Sequence, residues 1–176
     1  MSGIDKSAPF LAVNIAVLTV SDTRTESNDK SGALLVDKLK EAGHKLVEKA
    51  IIRDDQTQII SKLQSWIANP LIEVIIATGG TGVTGRDVTP EAFAAVYEKE
   101  IPGFGELFRQ LSFNLIGTST IQSRATAGVA RGTYLFALPG STGACRDAWD
   151  GILCSQLDIR HRPCNFAELI PRLREN

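Results

Sequence analysis

The run Thr78-Gly79-Gly80-Thr81-Gly82, followed closely by Asp87 and Pro90, joins residue types that can hold a phosphate. It comes straight after Ile75-Ile76-Ala77, an apolar stretch that reads as a buried strand. Glycines let a backbone approach a ligand closely, and the helix that follows offers its positive N-terminus to an anion. Asp87 cannot hold a phosphate by itself, but it can hold the Mg²⁺ that a nucleotide phosphate brings along. The stretch suggests a phosphate or nucleotide site at the carboxyl end of a parallel sheet. Taken alone, Gly-Gly-x-Gly is equally compatible with a structural turn, so the rest of the chain has to decide.

Two common glycine-loop patterns do not fit. The dinucleotide pattern G-x-G-x-x-G is met by Gly80, Gly82 and Gly85, but its acidic ribose contact belongs about 20 residues further on, in the next strand. Glu98 and Glu100 lie nearer, in charged surroundings. The phosphate loop of NTPases requires Lys and then Ser or Thr after its last glycine. Arg86 and Asp87 stand there instead, and a carboxylate in place of the hydroxyl would face the phosphates with like charge.

The elements that must position these residues follow a regular order. Asn14 to Val20 reads as a first buried strand, opening into a polar loop from Ser21 to Lys30. Ser31 is expected to cap the next helix, with Leu34, Leu35 and Leu39 on its apolar face and Gly43 as its stop. Lys45 to Ile52 alternates as a second strand, and Asp54 or Asp55 caps a helix carrying Ile59, Ile60, Leu63, Trp66 and Ile67. Val74 to Ala77 is the third strand. Pro90 suits the first turn of a helix reaching about Tyr97, and another helix is expected near Phe104 with Leu107, Phe108 and Leu111 as its stripe. Thr133 to Leu138 is a further strand, after which Ser141 caps a long final helix through Leu153. This order predicts an α/β, three-layer architecture: an open, mostly parallel sheet with helices on both faces.

Ligands of such sheets bind outside the carboxyl ends of the strands. Polar loops containing Ser21 and Asp22, Asp54 and Asp55, Thr78 to Asp87, and Pro139-Gly140-Ser141 all fall on that edge. Helix caps account for Ser141 and one of Asp54 or Asp55. They leave Asp22 and Asp87 without a structural task, which favours a functional site.

Composition narrows the class. The 176 residues suit one domain, 43% are hydrophobic and 22% charged, and the formal net charge is −1. A near-neutral chain without basic runs has no electrostatic footprint for nucleic acid or an anionic membrane, and it has no apolar span for a bilayer. Residues 1–10 are expected as a flexible arm, 11–170 as a single domain and 171–176 as a tail, with no secretory signal and a cytoplasmic location. Cys145, Cys154 and Cys164 show no Cys-x-x-Cys spacing, and His44 and His161 lie far apart. A structural zinc site is therefore not expected, and the thiols are read as reduced and buried or half-buried.

Set in order, Thr19-Val20-Ser21-Asp22, Asp29-Lys30-Ser31-Gly32, Thr78-Gly79-Gly80-Thr81-Gly82, Arg86-Asp87-Val88-Thr89-Pro90 and Pro102-Gly103-Phe104-Gly105-Glu106 resemble the molybdenum cofactor biosynthesis family. Gln156-Leu157-Asp158 and Arg162-Pro163-Cys164-Asn165-Phe166 resemble the ending of a branch that is sister to its adenylyltransferases. The resemblance implies the molybdopterin-binding domain fold and an activity, the Mg²⁺- and ATP-dependent adenylylation of molybdopterin. It implies Asp87 and Asp54 as catalytic and Mg²⁺-holding carboxylates. Arg53 stands where the family usually has Pro before the second of these, and Asp55 is a rival for it. Ser21, Asp22, Ser31, Thr78, Gly79, Gly80, Thr81, Gly82, Pro139, Gly140 and Ser141 would bind nucleotide or pterin.

The same resemblance implies a homotrimer or homohexamer and contacts with other proteins of the pathway. Leu157, Ile159 and Phe166 are the apolar residues that would support assembly. The alternatives are a non-catalytic molybdopterin-binding or assembly protein, and a scaffold with a vestigial site. Arg24, Lys30, Arg86, Arg124 and Arg131 are each read as solvated surface charges.

Overall fold

Strand β2 (Asn14–Val20) belongs to the core, and from its second residue on every side chain is buried. A computed structural model describes residues 3–175. Chain order is β1 (Gly3–Ile4), β2, α1 (Lys30–Glu41), β3 (Lys45–Ile52), α2 (Gln56–Ile67), β4 (Val74–Thr78), α3 (Thr89–Ala94), β5 (Lys99–Glu100) and α4 (Pro102–Ile116). A 3₁₀ turn (Gly117–Gln122), β6 (Thr126–Ala130), β7 (Thr133–Leu138), α5 (Thr142–Ala148), a π-helical turn (Trp149–Leu153) and α6 (Cys154–Gln156) follow. The described chain ends with β8 (His161–Arg162), α7 (Phe166–Leu169) and a 3₁₀ turn, Ile170–Arg172.

Six strands form one sheet in the order β3-β2-β4-β7-β6-β5. The pairs β3–β2, β2–β4 and β4–β7 are parallel, whereas β7–β6 and β6–β5 are antiparallel. Alternation along the strands divides the core. Ile15, Val17, Ile76 and Phe136 pack with Leu35, Leu39, Phe108 and Trp149 on one face. Ala16, Leu18, Ile75 and Leu135 pack with Ile59, Leu63, Trp66 and Phe93 on the other. Helices α1, α4 and α5 thus cover one face, and α2 and α3 the other, as expected from the order of elements.

The chain leaves β2 through α1 to β3 on one side and returns through α2 to β4 on the other. The loops after β2 and β4 therefore diverge, and a crevice opens between them. Thr19 and Thr78 are register partners at that edge, as are Val20 and Ile52, so three loop starts lie side by side.

Several details differ from expectation. Asp29, not Ser31, caps α1, because its carboxylate accepts the Gly32 amide at 2.9 Å. Helix α3 stops at Ala94, and α4 starts at Pro102, two residues before Phe104. Of the expected stripe on α4, Phe108 is buried but Leu107 is exposed, with Phe104 taking its place in the core. Within the described residues the N-terminal arm is paired: Gly3 and Ile4 lie antiparallel to Arg162 and His161, and the Asp5 amide donates to the Arg160 carbonyl at 2.8 Å. Met1, Ser2 and Asn176 lie outside the described residues. Cys145 is buried but Cys154 and Cys164 are exposed. No helix among the described residues is long and apolar enough to cross a membrane.

Asp29 also ties the loop after β2 to the sheet. Its side chain, 1% exposed, accepts the Thr19 hydroxyl at 2.8 Å and pairs with Lys49 at 2.9 Å. Burial pushes its pKa up, but Lys49, the Gly32 amide and the Thr19 hydroxyl outweigh burial and hold it below the ordinary value. Asp29→Ala removes a helix cap and half of a nearly buried pair. We expect it to destabilise the fold by about 2–4 kcal/mol, measured by urea unfolding, with Asp29→Asn losing less.

Candidate functional site

Gly79 begins the glycine loop at a point where only glycine fits. Its φ is +104° and that of Gly80 is +64°, both in the left-handed region. A side chain on Gly79 would be driven into the Val20 carbonyl, and a Cβ on Gly140 would lie 3.3 Å from the Gly79 Cα. The ends of β2, β4 and β7 thus meet around this residue. The Gly79 amide donates to the Leu138 carbonyl at 3.0 Å, and the Thr78 hydroxyl donates to the Pro139 carbonyl at 2.9 Å. Thr89 takes up the loop carbonyls: its hydroxyl donates to Gly79 at 2.8 Å and its amide to Gly80 at 3.0 Å. Among the described residues, the amides of Gly80 and Thr81 donate to no protein acceptor. Free amides on a loop of positive φ suit an anionic ligand.

Two adjoining cavities open here. The first, about 320 Å³, is lined by Ser21, Ser31, Asp54, Thr78, Gly79 and Arg86, among others. The second, about 370 Å³, is lined by Thr81, Gly82, Phe108, Ile116, Pro139 and Ser141, among others. Gly80, Asp87 and Gly140 belong to both walls. The structure thus brings together every expected site residue except Asp22, which stands at the rim and accepts Arg86 Nη2 at 2.6 Å. Ser31, released from the capping role, donates to the Gly140 carbonyl at 2.8 Å and joins α1 to the Pro139–Ser141 loop. Ser141 caps α5 through the Ala144 amide at 3.2 Å.

The two aspartates after β3 divide their tasks. Asp55 caps α2, accepting the Gln58 amide at 2.9 Å, and Asp54 faces the first cavity. Burial, followed by the neighbouring Asp22 carboxylate, pushes the Asp54 pKa up. Asp87 behaves oppositely. Burial pushes it up, but the Thr84 hydroxyl and amide, the Gly82 amide and Arg124 outweigh burial and hold it down. Asp22 and Asp87 therefore do have structural partners, contrary to the sequence reading. The Asp87 carboxylate closes its own loop, accepting the Thr84 hydroxyl at 2.6 Å and the Thr84 amide at 2.8 Å.

Sequence reasoning missed the far wall of the second cavity, where Phe108 and Ser112 of α4 face Ser119, Thr120, Gln122 and Ser123. The only available signal was the hydroxyl-rich run from Thr118 to Ser123. Arg124 is also no free surface charge, since it bonds to the glycine loop and to Glu91.

Fold and site together define an open α/β protein with a crevice suited to an anionic ligand at the carboxyl edge of its sheet. Comparison with known proteins places it in the molybdopterin-binding class. Residues 16–159 match the family model described as "Probable molybdopterin binding domain". Molybdenum cofactor biosynthesis protein B of Escherichia coli K12 is 52% identical over 160 residues, covering 91% of this chain and 94% of that protein. A crystal structure of a molybdenum cofactor biosynthesis protein B superposes with a TM-score of 0.85 at 40% identity, covering 94% of this chain and 98% of the other. The tungsten cofactor synthesizing protein MoaB from Pyrococcus furiosus gives 0.78 at 32% identity, covering 96% and 100%. The chain belongs to the molybdenum cofactor biosynthesis protein B family, the branch that its C-terminal motifs resemble.

The raised pKa of Asp54 has a consequence for stability. The folded state binds this proton more tightly than the unfolded chain, so the ionised carboxylate weakens the fold at pH values above its titration. Asp54→Asn should therefore raise the melting temperature at pH 7, measured by calorimetry. The gain should shrink as pH falls through the Asp54 titration, where the native carboxyl is itself neutral.

Proposed function

We propose that the protein binds molybdopterin and ATP in the two adjoining cavities and adenylylates molybdopterin. The observation that carries this reading is the shared wall. Gly80, Asp87 and Gly140 border both spaces, so two ligands would meet at one carboxylate and one glycine loop. The first cavity, with Asp54, Arg24 and Arg86, suits a triphosphate chain, and the second, with Phe108, Ile116 and small hydroxyls, suits a flat pterin.

In the proposed reaction, an oxygen of the terminal phosphate of molybdopterin attacks the α-phosphorus of ATP. A new P–O bond forms as the bond to the leaving pyrophosphate breaks. Such transfers depend mainly on positioning and charge neutralisation. The Gly80 and Thr81 amides would stabilise charge on the phosphate oxygens. Arg86 would exchange Asp22 for a phosphate at the rim.

The residues present fit Mg²⁺. This ion is usually held by one or two carboxylates together with substrate phosphates, and Asp54 and Asp87 both line the first cavity. Asp54 and Asp87 would hold it. Its contribution would be neutralisation of phosphate charge.

The test is turnover with molybdopterin and Mg-ATP, with adenylylated molybdopterin quantified by chromatography. Asp87→Asn keeps an acceptor for Thr84 but loses the charge that the Gly82 amide and Arg124 favour. We therefore expect a small fall in melting temperature with the fold retained, and a loss of at least about 100-fold in rate. Undiminished turnover in this variant would sink the assignment. Molybdopterin binding without product in the unaltered protein would move the chain to the non-catalytic reading.

Self-association belongs to the same proposal, as a homotrimer or homohexamer. The apolar residues expected to drive it are used internally: Leu157 is buried, Ile159 packs against the core, and Phe166 packs on Tyr134 and Phe136. Leu107, Leu115, Ile116 and Ile121 are exposed instead, on α4 and the turn after it. Light scattering at micromolar concentration should give a multiple of the 19.0 kDa chain mass, and Leu115→Glu with Ile121→Glu should lower it. A monomeric mass for the unaltered protein would refute assembly.

A further inference from the structure

Arg124 stands between the 3₁₀ turn and β6, outside both motifs that carry the carboxylates. Its guanidinium nevertheless reaches the loop from Gly82 to Asp87 at both ends. Nε donates to the Gly82 carbonyl at 2.6 Å, and Nη2 donates to the Asp87 carbonyl at 2.6 Å. These two donors share one edge of a rigid planar fork, so they fix the distance between the two carbonyls. Nη1 pairs with the Glu91 carboxylate in the first turn of α3. The Arg124 amide adds a bond to the Thr81 carbonyl at 3.0 Å.

The loop has little else to hold it. Val83, Thr84, Gly85 and Arg86 are exposed. Among the described residues, the other hydrogen bonds between Gly82 and Asp87 either stay within the loop or run from Arg86 to the exposed Asp22. The Arg86–Asp22 pair is a weak anchor, because exposed pairs contribute little and salt screens them. Without Arg124, the segment bearing Asp87 would be joined to the body mainly by its chain ends.

We propose that Arg124 is a positioning residue for the Asp87 carboxylate, acting by clamping both ends of the Gly82–Asp87 loop and not by touching a ligand. The proposal rests on the reading of Asp87 given above for its effect on rate, and on geometry alone for its effect on the loop. Both acceptors are neutral carbonyls at a fixed spacing. A lysine supplies one point charge and cannot reproduce the fork, so charge conservation does not restore the clamp.

The experiment compares the unaltered protein with Arg124→Gln and Arg124→Lys. Hydrogen–deuterium exchange is followed by peptide, and turnover is measured across concentrations of molybdopterin, ATP and Mg²⁺. We expect the amides of residues 82–88 to exchange at least about tenfold faster in both variants, with β4 and α4 unchanged. A displacement of about 1 Å at a reacting group can cost on the order of 100-fold. The rate constant kcat should accordingly fall by about that factor, with KM for molybdopterin and ATP within about threefold and a higher Mg²⁺ requirement.

Unchanged exchange in the loop overturns the clamp. So does a rise in KM for either substrate with the loop still protected, which would make Arg124 a ligand contact. Exchange that rises evenly across the sheet overturns it too, since Arg124 would then serve global stability. If the unaltered protein makes no adenylylated product, the reaction reading fails separately, and the exchange of residues 82–88 alone decides for or against the clamp.

Discussion

The close approach of three backbone segments at Gly79 is the constraint on which the rest of the site depends. β2, β4 and β7 are parallel neighbours, so their carboxyl ends emerge together. The Val20 carbonyl, the Leu138 carbonyl and Gly140 all crowd one residue, which leaves no room for a β-carbon. With that contact made, the loop after β4 must turn through a left-handed conformation. It brings Asp87 back over the ends of the strands. The loop after β7 is held against it, and Ser31 and Thr78 lock that loop by donating to the carbonyls of Gly140 and Pro139. Two cavities with a common wall follow from this one packing event.

Charge is distributed with the same economy. Asp29 is nearly buried, yet it is fully partnered by Thr19, Gly32 and Lys49 and serves as a structural anchor. Asp54 is half-buried beside another carboxylate, an arrangement that weakens the fold unless a cation or a ligand proton compensates it. Asp87 lies between these cases, with its carboxylate already engaged by the loop that carries it. A protein gains no stability from the Asp54 arrangement. The free amides of Gly80 and Thr81 and the arginines Arg24 and Arg86, not this carboxylate, are the physical basis for reading the crevice as a phosphate site.

The far side of the sheet shows how small residues can hide an element. β6 is Thr-Ala-Gly-Val-Ala, with neither an apolar run nor a clear alternation. It is a strand because β7 offers it a partner. The two join through Arg131 and Gly132, at φ +48° and +83°, the left-handed pair that a two-residue hairpin requires. Gly128 is needed in it because the Tyr97 ring lies where a side chain would be. This antiparallel edge carries Arg124 at its start, so an element with no sequence signal delivers the residue that holds the glycine loop.

The sequence by itself determined the parallel half of the sheet, down to the limits of Asn14–Val20, Lys45–Ile52 and Thr133–Leu138, because buried strands and their flanking caps are local patterns. It also determined which loops share an edge, since alternating strands and helices permit few topologies. Only the tertiary structure decided which of Asp54 and Asp55 caps α2: both suit a cap, and it is Asp55 that accepts the Gln58 amide while Asp54 lines the cavity. It moved the α1 cap from Ser31 to Asp29, where Lys49 and Thr19 from two different strands converge. It paired the N-terminal arm with Arg162 and His161, a contact between the two ends of the chain that no local pattern encodes. Arg124 is the sharpest case. Its type and neighbours say only that it is charged, and its task exists because the fold brings it to the carbonyl of Asp87, 37 residues away along the chain.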